Sequence, residues 1–294
     1  MDMIYWDHYY NTTLLFNLLI ITGLFASLRL FSGTIAHINA SDELLKKDNP
    51  AFGISLAGAT LAVTIMLSGV MYGDPESSRT EAVIVLALFG VLGIALMALT
   101  RVIFDKITLP DISLRDEIVK GNIAVAIADA GNVLATAIII RAVMIWVPMN
   151  TVGALTAILG SFAVSQIILT SMTLLRIKIF SFANKDSGLQ DELKNRNIAL
   201  ALRFSGQKIG TAFALATAAR IVIYEEYEIF SILAVWFLAS IGVILIWKAL
   251  CFIAHRIILF RVNINQEVLE QRNIAVGALQ AVIYISLGLL ISTV

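Results

Sequence analysis

DEIVKGNIAVAIADAGN, residues 116–132, begins as a charged linker and becomes an apolar helix that carries Asp129 and Asn132 about two turns in. Near residue 191 the pattern returns as DELKNRNIALALRFSGQK, now with Arg203, Gln207 and Lys208 inside the apolar run. Two further helix starts fit the same frame: NPAFGISLAGATLA at 49 and NIAVGALQAVIYIS at 273. The four starts open on Asn49, Asn122, Asn197 and Asn273, spaced 73, 75 and 76 residues apart. Each follows an acidic pair or its relic: DEL at 42, DEI at 116, DEL at 191 and QEV at 266. Recurrence at a fixed period marks one supersecondary unit used repeatedly. Here the unit is a helix, a polar linker and a second helix.

The apolar runs set the class. The chain is 59% hydrophobic and 14% charged over 294 residues, well below the charge content of soluble domains. Runs at 12–34, 51–72, 82–104, 122–147, 151–175, 197–223, 229–254 and 273–294 approach or exceed the ~20 residues that cross a bilayer core. They lack period-two alternation, so helices and not a barrel are expected. The expected fold is an all-α polytopic membrane protein: eight transmembrane helices as four parallel two-helix repeats, the even-numbered helices packed centrally. One transmembrane domain covers 1–294, with repeats at 1–73, 74–148, 149–225 and 226–294. The N-terminus, MDMIYWDHYY, has no basic n-region and reads as the approach to a retained helix.

Charge orients the units. Linkers within them hold Lys46, Lys47, Arg101, Lys106, Arg115, Lys120, Arg176, Lys178, Lys185, Lys194, Arg196, Arg256, Arg261 and Arg272. The opposite side holds Arg79 among Asp74, Glu76, Glu225, Glu226 and Glu228. The positive-inside rule therefore places the linkers in the cytoplasm and both termini outside. Zero net charge and the absence of a basic tail argue against nucleic acid as a partner. The expected partners are the lipid bilayer, a second copy of the chain, and a peripheral cytoplasmic protein.

Two sets of positions recur along the second helices. Gly58, Gly131 and Gly206 stand nine residues after their asparagines, and Gly210 stands thirteen after Asn197. These positions share a face, the small-residue spacing that lets membrane helices approach closely; Val282 interrupts it in the last unit. Polar residues occupy an arc beside that face: Asp129, Asn132, Arg203, Gln207, Lys208 and Gln280. Asp129 lies about 10 Å and Lys208 about 16 Å beyond the helix start, too deep to be casual in a lipid-crossing helix. The expectation is either an ion pair of Asp129 with Arg203 or Lys208, or a polar site open to a solute. The four asparagines suit helix N-caps.

The stretch FDKITLPDISLRDEIVKGNIAVAIADAGNVLATAIII, residues 104–140, resembles a bacterial inner-membrane family catalogued as domain of unknown function 350; DELKNRNIALALRFSGQKIG and QEVLEQRNIAVGAL fit more loosely. The resemblance covers nearly the whole chain and implies paired two-helix units in an inner membrane, without naming an activity. The first unit departs most, with Pro50 after its asparagine.

No catalytic signature is present: HExxH, GxSxG, P-loop and dinucleotide fingerprints are missing from the sequence. His8, His37, His255 and the single Cys251 are scattered, so no metal site and no cofactor are expected. Trp146, Trp236 and Trp247 suit an interfacial belt. The sequence favours a channel or transporter for a small ion or polar solute, not an enzyme. The alternative is a non-transporting scaffold that recruits partners through its linkers.

Overall fold

The computed structural model describes residues 8–34, 38–71, 78–147, 153–184, 188–225 and 228–293. Among them the long elements are helices: α1 (His8–Thr34), α2 (Pro50–Val70), α3 (Arg79–Ile103), α4 (Leu114–Val119), α5 (Ile123–Trp146), α6 (Gly153–Ala183), α7 (Leu189–Lys194), α8 (Ile198–Ile221), α9 (Ile229–Ile258) and α10 (Ile274–Thr293). Short π-helical turns at Asp42–Lys46, Phe104–Thr108 and Gln266–Glu270 complete the linkers. No strand occurs among the described residues. The repeat junctions placed at 73/74 and 148/149 lie outside the described residues, and the one at 225/226 falls on their edge.

Among the described residues six helices are long and apolar enough to cross a membrane: α2, α3 with its π-helical turn, α5, α6, α9 and α10. The sequence reading expects eight. Of the other two, α1 supplies a shorter apolar stretch, Leu14–Ala26, among its described residues. In α8, Arg203, Lys208 and Arg220 interrupt 24 residues that are otherwise mostly small or apolar. Those cations lower its hydropathy, yet most of α8 is buried. Its neighbours shelter what its own composition does not.

The most extensive helix contacts are α2 with α5, α5 with α8, and α8 with α10. These second helices therefore form a row. Centrality differs along it: 78% of the apolar stretch of α5 is buried, against 44% in α2 and 28% in α10. The second helices of the four units, expected to be central, are thus not uniformly so; α5 and α8 fill the middle, and α2 and α10 stand at the ends. Around the row, α3 lies on α2 and α5, α6 on α5 and α8, and α9 on α8 and α10.

One contact, repeated three times, sets the spacing of the row. A methyl added to Gly58 would stand 2.5 Å from Ala130 Cβ, and one on Gly131 would stand 2.5 Å from Ser205 Cβ. One on Gly206 would collide with Ala281. In each case the residue nine after one asparagine meets the residue eight after the next. Without side chains there, backbones come close enough for dense van der Waals contact, the main attraction between helices in lipid. At the two ends Ala57 and Val282 are exposed. Gly210 does different work, admitting the Trp247 ring and the Tyr284 carbonyl.

The tryptophans correct an expectation. Trp236 and Trp247 are fully buried, not interfacial. Trp247 fills the notch at Gly210 and donates its indole N–H to the Tyr284 carbonyl at 3.2 Å. Trp236 lies 6.3 Å from Trp146, ring centre to ring centre.

Candidate functional site

The linkers join into a layer at one end of the bundle, with Leu109, Ile112, Leu114, Ile118, Leu189, Leu193 and Val268 buried against the helix starts. Ser113 opens α4 by accepting from the Asp116 amide. The residue before each asparagine has positive φ: Asp48, Gly121, Arg196 and Arg272. That turn swings the chain from linker to second helix. Gly121, at φ 76°, adopts it without the penalty a Cβ brings.

The asparagines do more than cap. Asn49 Oδ1 accepts from the Ala51 and Phe52 amides, and Asn122 Oδ1 from Ala124 and Val125. Asn197 accepts from Leu200, and Asn273 from Ala275 and Val276. Each side-chain amide also donates to a glutamate of its own linker: Asn49 to Glu43, Asn122 to Glu117, Asn197 to Glu192 and Asn273 to Glu267. Three of them reach forward as well. Asn49 donates to the Ile118 carbonyl at 2.9 Å, Asn122 to Leu193 at 3.1 Å and Asn197 to Val268 at 3.0 Å. Arginines return the bond: Arg196 donates to the Lys120 carbonyl and Arg272 to the Asn195 carbonyl. The second and third units, and the third and fourth, are thus stitched in both directions.

Burial raises the Glu117 carboxyl, but bonds from Asn122 and Lys120 outweigh it and hold it below its ordinary value. Glu43 is held low in the same way, with Lys47 and Asn49 as donors against burial. The acidic pairs are therefore not only helix-start charges. Their glutamates anchor the asparagines.

About two turns deeper lies the first polar cluster. Asp129 on α5 is 1% exposed. It accepts from Arg101 Nε at 3.0 Å, from Arg101 Nη2 at 2.8 Å and from Ser55 Oγ at 2.6 Å. Arg101 comes from the last turn of α3 and Ser55 from α2. This bidentate pair corrects the expected partnership: Arg101, and not Arg203 or Lys208, neutralises Asp129. The only signal in the sequence was position, since Arg101 and Arg176 both stand 21 residues before their asparagines.

The cluster opens onto a cavity of about 290 Å³ between α2, α3, α4 and α5. Phe52, Leu56, Val102 and Ile118 supply apolar wall; Arg101, Asp105, Arg115 and Asp129 supply charge. The Arg101 side chain is 35% exposed while Asp129 is closed off. The arginine thus forms the contact between a buried carboxylate and the open space.

Asn132 and Lys208 form the second cluster. Lys208 is 3% exposed and donates to Asn132 Oδ1 across the α5–α8 contact. Its ammonium stands 4.3 Å from the centre of the Phe104 ring and 5.9 Å from that of Phe204. Phe104 follows Arg101 by three residues, so the same segment serves both clusters. Arg176 on α6 stacks over Phe204 at 5.6 Å.

The remaining arc residues are elsewhere. Gln207 donates to the Tyr284 hydroxyl at 2.7 Å, and the Tyr284 ring lies 4.6 Å from His255. Gln280 is buried on α10, its Oε1 without a bonding partner among the described residues. Arg203 is half-buried and reaches neither Asp129 nor any other described carboxylate. The arc read along the sequence is therefore three separate clusters.

A family model described as Domain of Unknown Function (DUF350) matches the chain twice, over residues 4–144 and 149–294. Each match spans two helix–linker–helix units. No curated protein and no solved structure matches.

Proposed function

Since this chain belongs to the family described as Domain of Unknown Function (DUF350), a description that carries no activity, we propose its function from the site: a channel or transporter for a small ion or polar solute. In this reading α1 and α8 also cross the bilayer, giving eight spans in four like-oriented units. At 24 residues α8 reaches about 36 Å, and packing on α5, α6, α9 and α10 buries Lys208, the cation farthest from either end. The excess of Lys and Arg in the linkers supports linkers in the cytoplasm and both termini outside, in the bacterial inner membrane that the family resemblance implies.

The observation that carries the reading is the cavity whose floor is the Arg101–Asp129 pair. One helical turn further along α5, Asn132 bonds Lys208. Ionisable groups at such depth are expensive and mark solute or proton routes by default. Opening requires Arg101 to leave Asp129, a movement its partial exposure allows.

Flux into proteoliposomes tests this, with wild type beside Asp129→Asn and Lys208→Met. Transport of at least one small ion that both variants alter is the expected result. No flux across a broad panel refutes it. The scaffold reading draws on the exposed linker cations Lys46, Lys106, Arg115 and Lys194; capture of a cytoplasmic partner lost on neutralising them, without flux, would favour it.

A further inference from the structure

Consecutive units offer a comparison within one chain. Arg101 stands 21 residues before Asn122 and Arg176 stands 21 before Asn197; Asp129 and Phe204 each stand seven residues after those asparagines. The first arginine holds a carboxylate. The second finds a phenyl ring where that carboxylate would be. We propose that this second position binds a singly charged anionic group, a halide, a short carboxylate or a lipid phosphodiester, between Asn132, Arg176 and Lys208.

Unmet hydrogen-bond capacity points to the same ligand. Lys208 is buried and its ammonium has three N–H groups, of which one bond, to Asn132, is formed. Asn132 Nδ2 and Arg176 Nη1 are buried without an acceptor among the described residues. All three groups lack the same thing, an acceptor, and two of them carry positive charge. No described carboxylate lies within 4.0 Å of Arg176 or Lys208. The Phe104 and Phe204 faces attract the cations but accept hydrogen bonds weakly. A buried cation in low dielectric needs a counter-charge with good geometry. At the first junction the protein supplies it; at the second, solution or a lipid headgroup does.

This assignment rests on the transport reading for its purpose but is tested by binding alone. The protein is placed in phosphatidylcholine nanodiscs with gluconate as the anion, and chloride or formate is titrated at constant ionic strength. Thermal unfolding is followed by tryptophan fluorescence. The expected result is a saturable rise in Tm of about 3 °C, absent in Lys208→Met. Phe204→Asp supplies a built-in carboxylate, so it should fold in gluconate alone and lose the anion response. If phosphatidylglycerol discs give the stabilisation without added salt, and Lys208→Met abolishes it, the site stands and a lipid headgroup fills it. No saturable shift with either anion or lipid, or a shift unchanged in Lys208→Met, overturns the assignment. Binding without flux refutes transport and leaves the site; flux without binding does the reverse.

Discussion

Cutting the Arg101–Asp129 pair from its two sides should give unequal results. Arg101→Met leaves a carboxylate that is 1% exposed with one hydroxyl, Ser55, in place of three bonds. Stranding a buried charge in this way costs about 3–5 kcal/mol. Asp129→Asn preserves shape, and the freed guanidinium, already 35% exposed at the cavity, gains water. Its cost should be about 1–2 kcal/mol, the scale of a lost charged hydrogen bond with little stranded charge. Arg101→Met with Asp129→Leu removes both charges and should recover most of the single-mutant loss, because apolar replacements of buried pairs are often neutral. Equilibrium unfolding in mixed micelles, run as a double-mutant cycle, measures all three. Equal costs for the two single variants, or a coupling below about 0.5 kcal/mol, would refute the view that Asp129 depends on Arg101 while Arg101 has solvent as a substitute.

Other outcomes follow from the same geometry. Gly206→Ala drives a methyl into Ala281 on α10 and should cost about 1–3 kcal/mol. Gly242→Ala, with nothing within 4 Å, should be neutral or stabilising by up to about 1 kcal/mol; thermal unfolding in micelles separates the two. Asn197→Ala loses a cap, a bond to Glu192 and a bond to the next unit, so it should cost about 2–3 kcal/mol. Asn273→Ala has no forward bond to lose and should cost about 1 kcal/mol. The Glu117 carboxyl is lower in the folded protein than in the unfolded chain. Its stabilisation is therefore complete above the unfolded value of about 4.3 and disappears as pH falls through the lower folded value. Hydrogen exchange in the linker layer should accelerate over that acid range in wild type and show a flatter profile in Glu117→Gln.

The period of the chain revealed which residues are equivalent, and the asparagine pattern was legible because a cap is a local interaction. What stayed hidden was which neighbour each side chain faces. Arg101 read as a linker charge because it sits at the end of an apolar run; packing of α3 on α5 brings it to Asp129. Trp236 and Trp247 read as interfacial by their place along a helix, but the notch at Gly210 on another helix buries Trp247. The six-residue arc assumed one shared interior. A row of helices has several interfaces, so Asn132–Lys208 and Gln207–Tyr284 end up on different ones. The span count differs for a related reason, since hydropathy is summed along one helix while Lys208 of α8 is covered by others.

A series of like modules can be extended only while each new joint matches the ones before it. Here the tip differs by one isopropyl group, Val282, where Gly58, Gly131 and Gly206 have hydrogen. A fifth module, or the first module of a neighbouring molecule, would be held off by those methyls and denied the tight seam that joins the other four. That face of α10 therefore cannot repeat the glycine-to-small-residue seam found at the three joints.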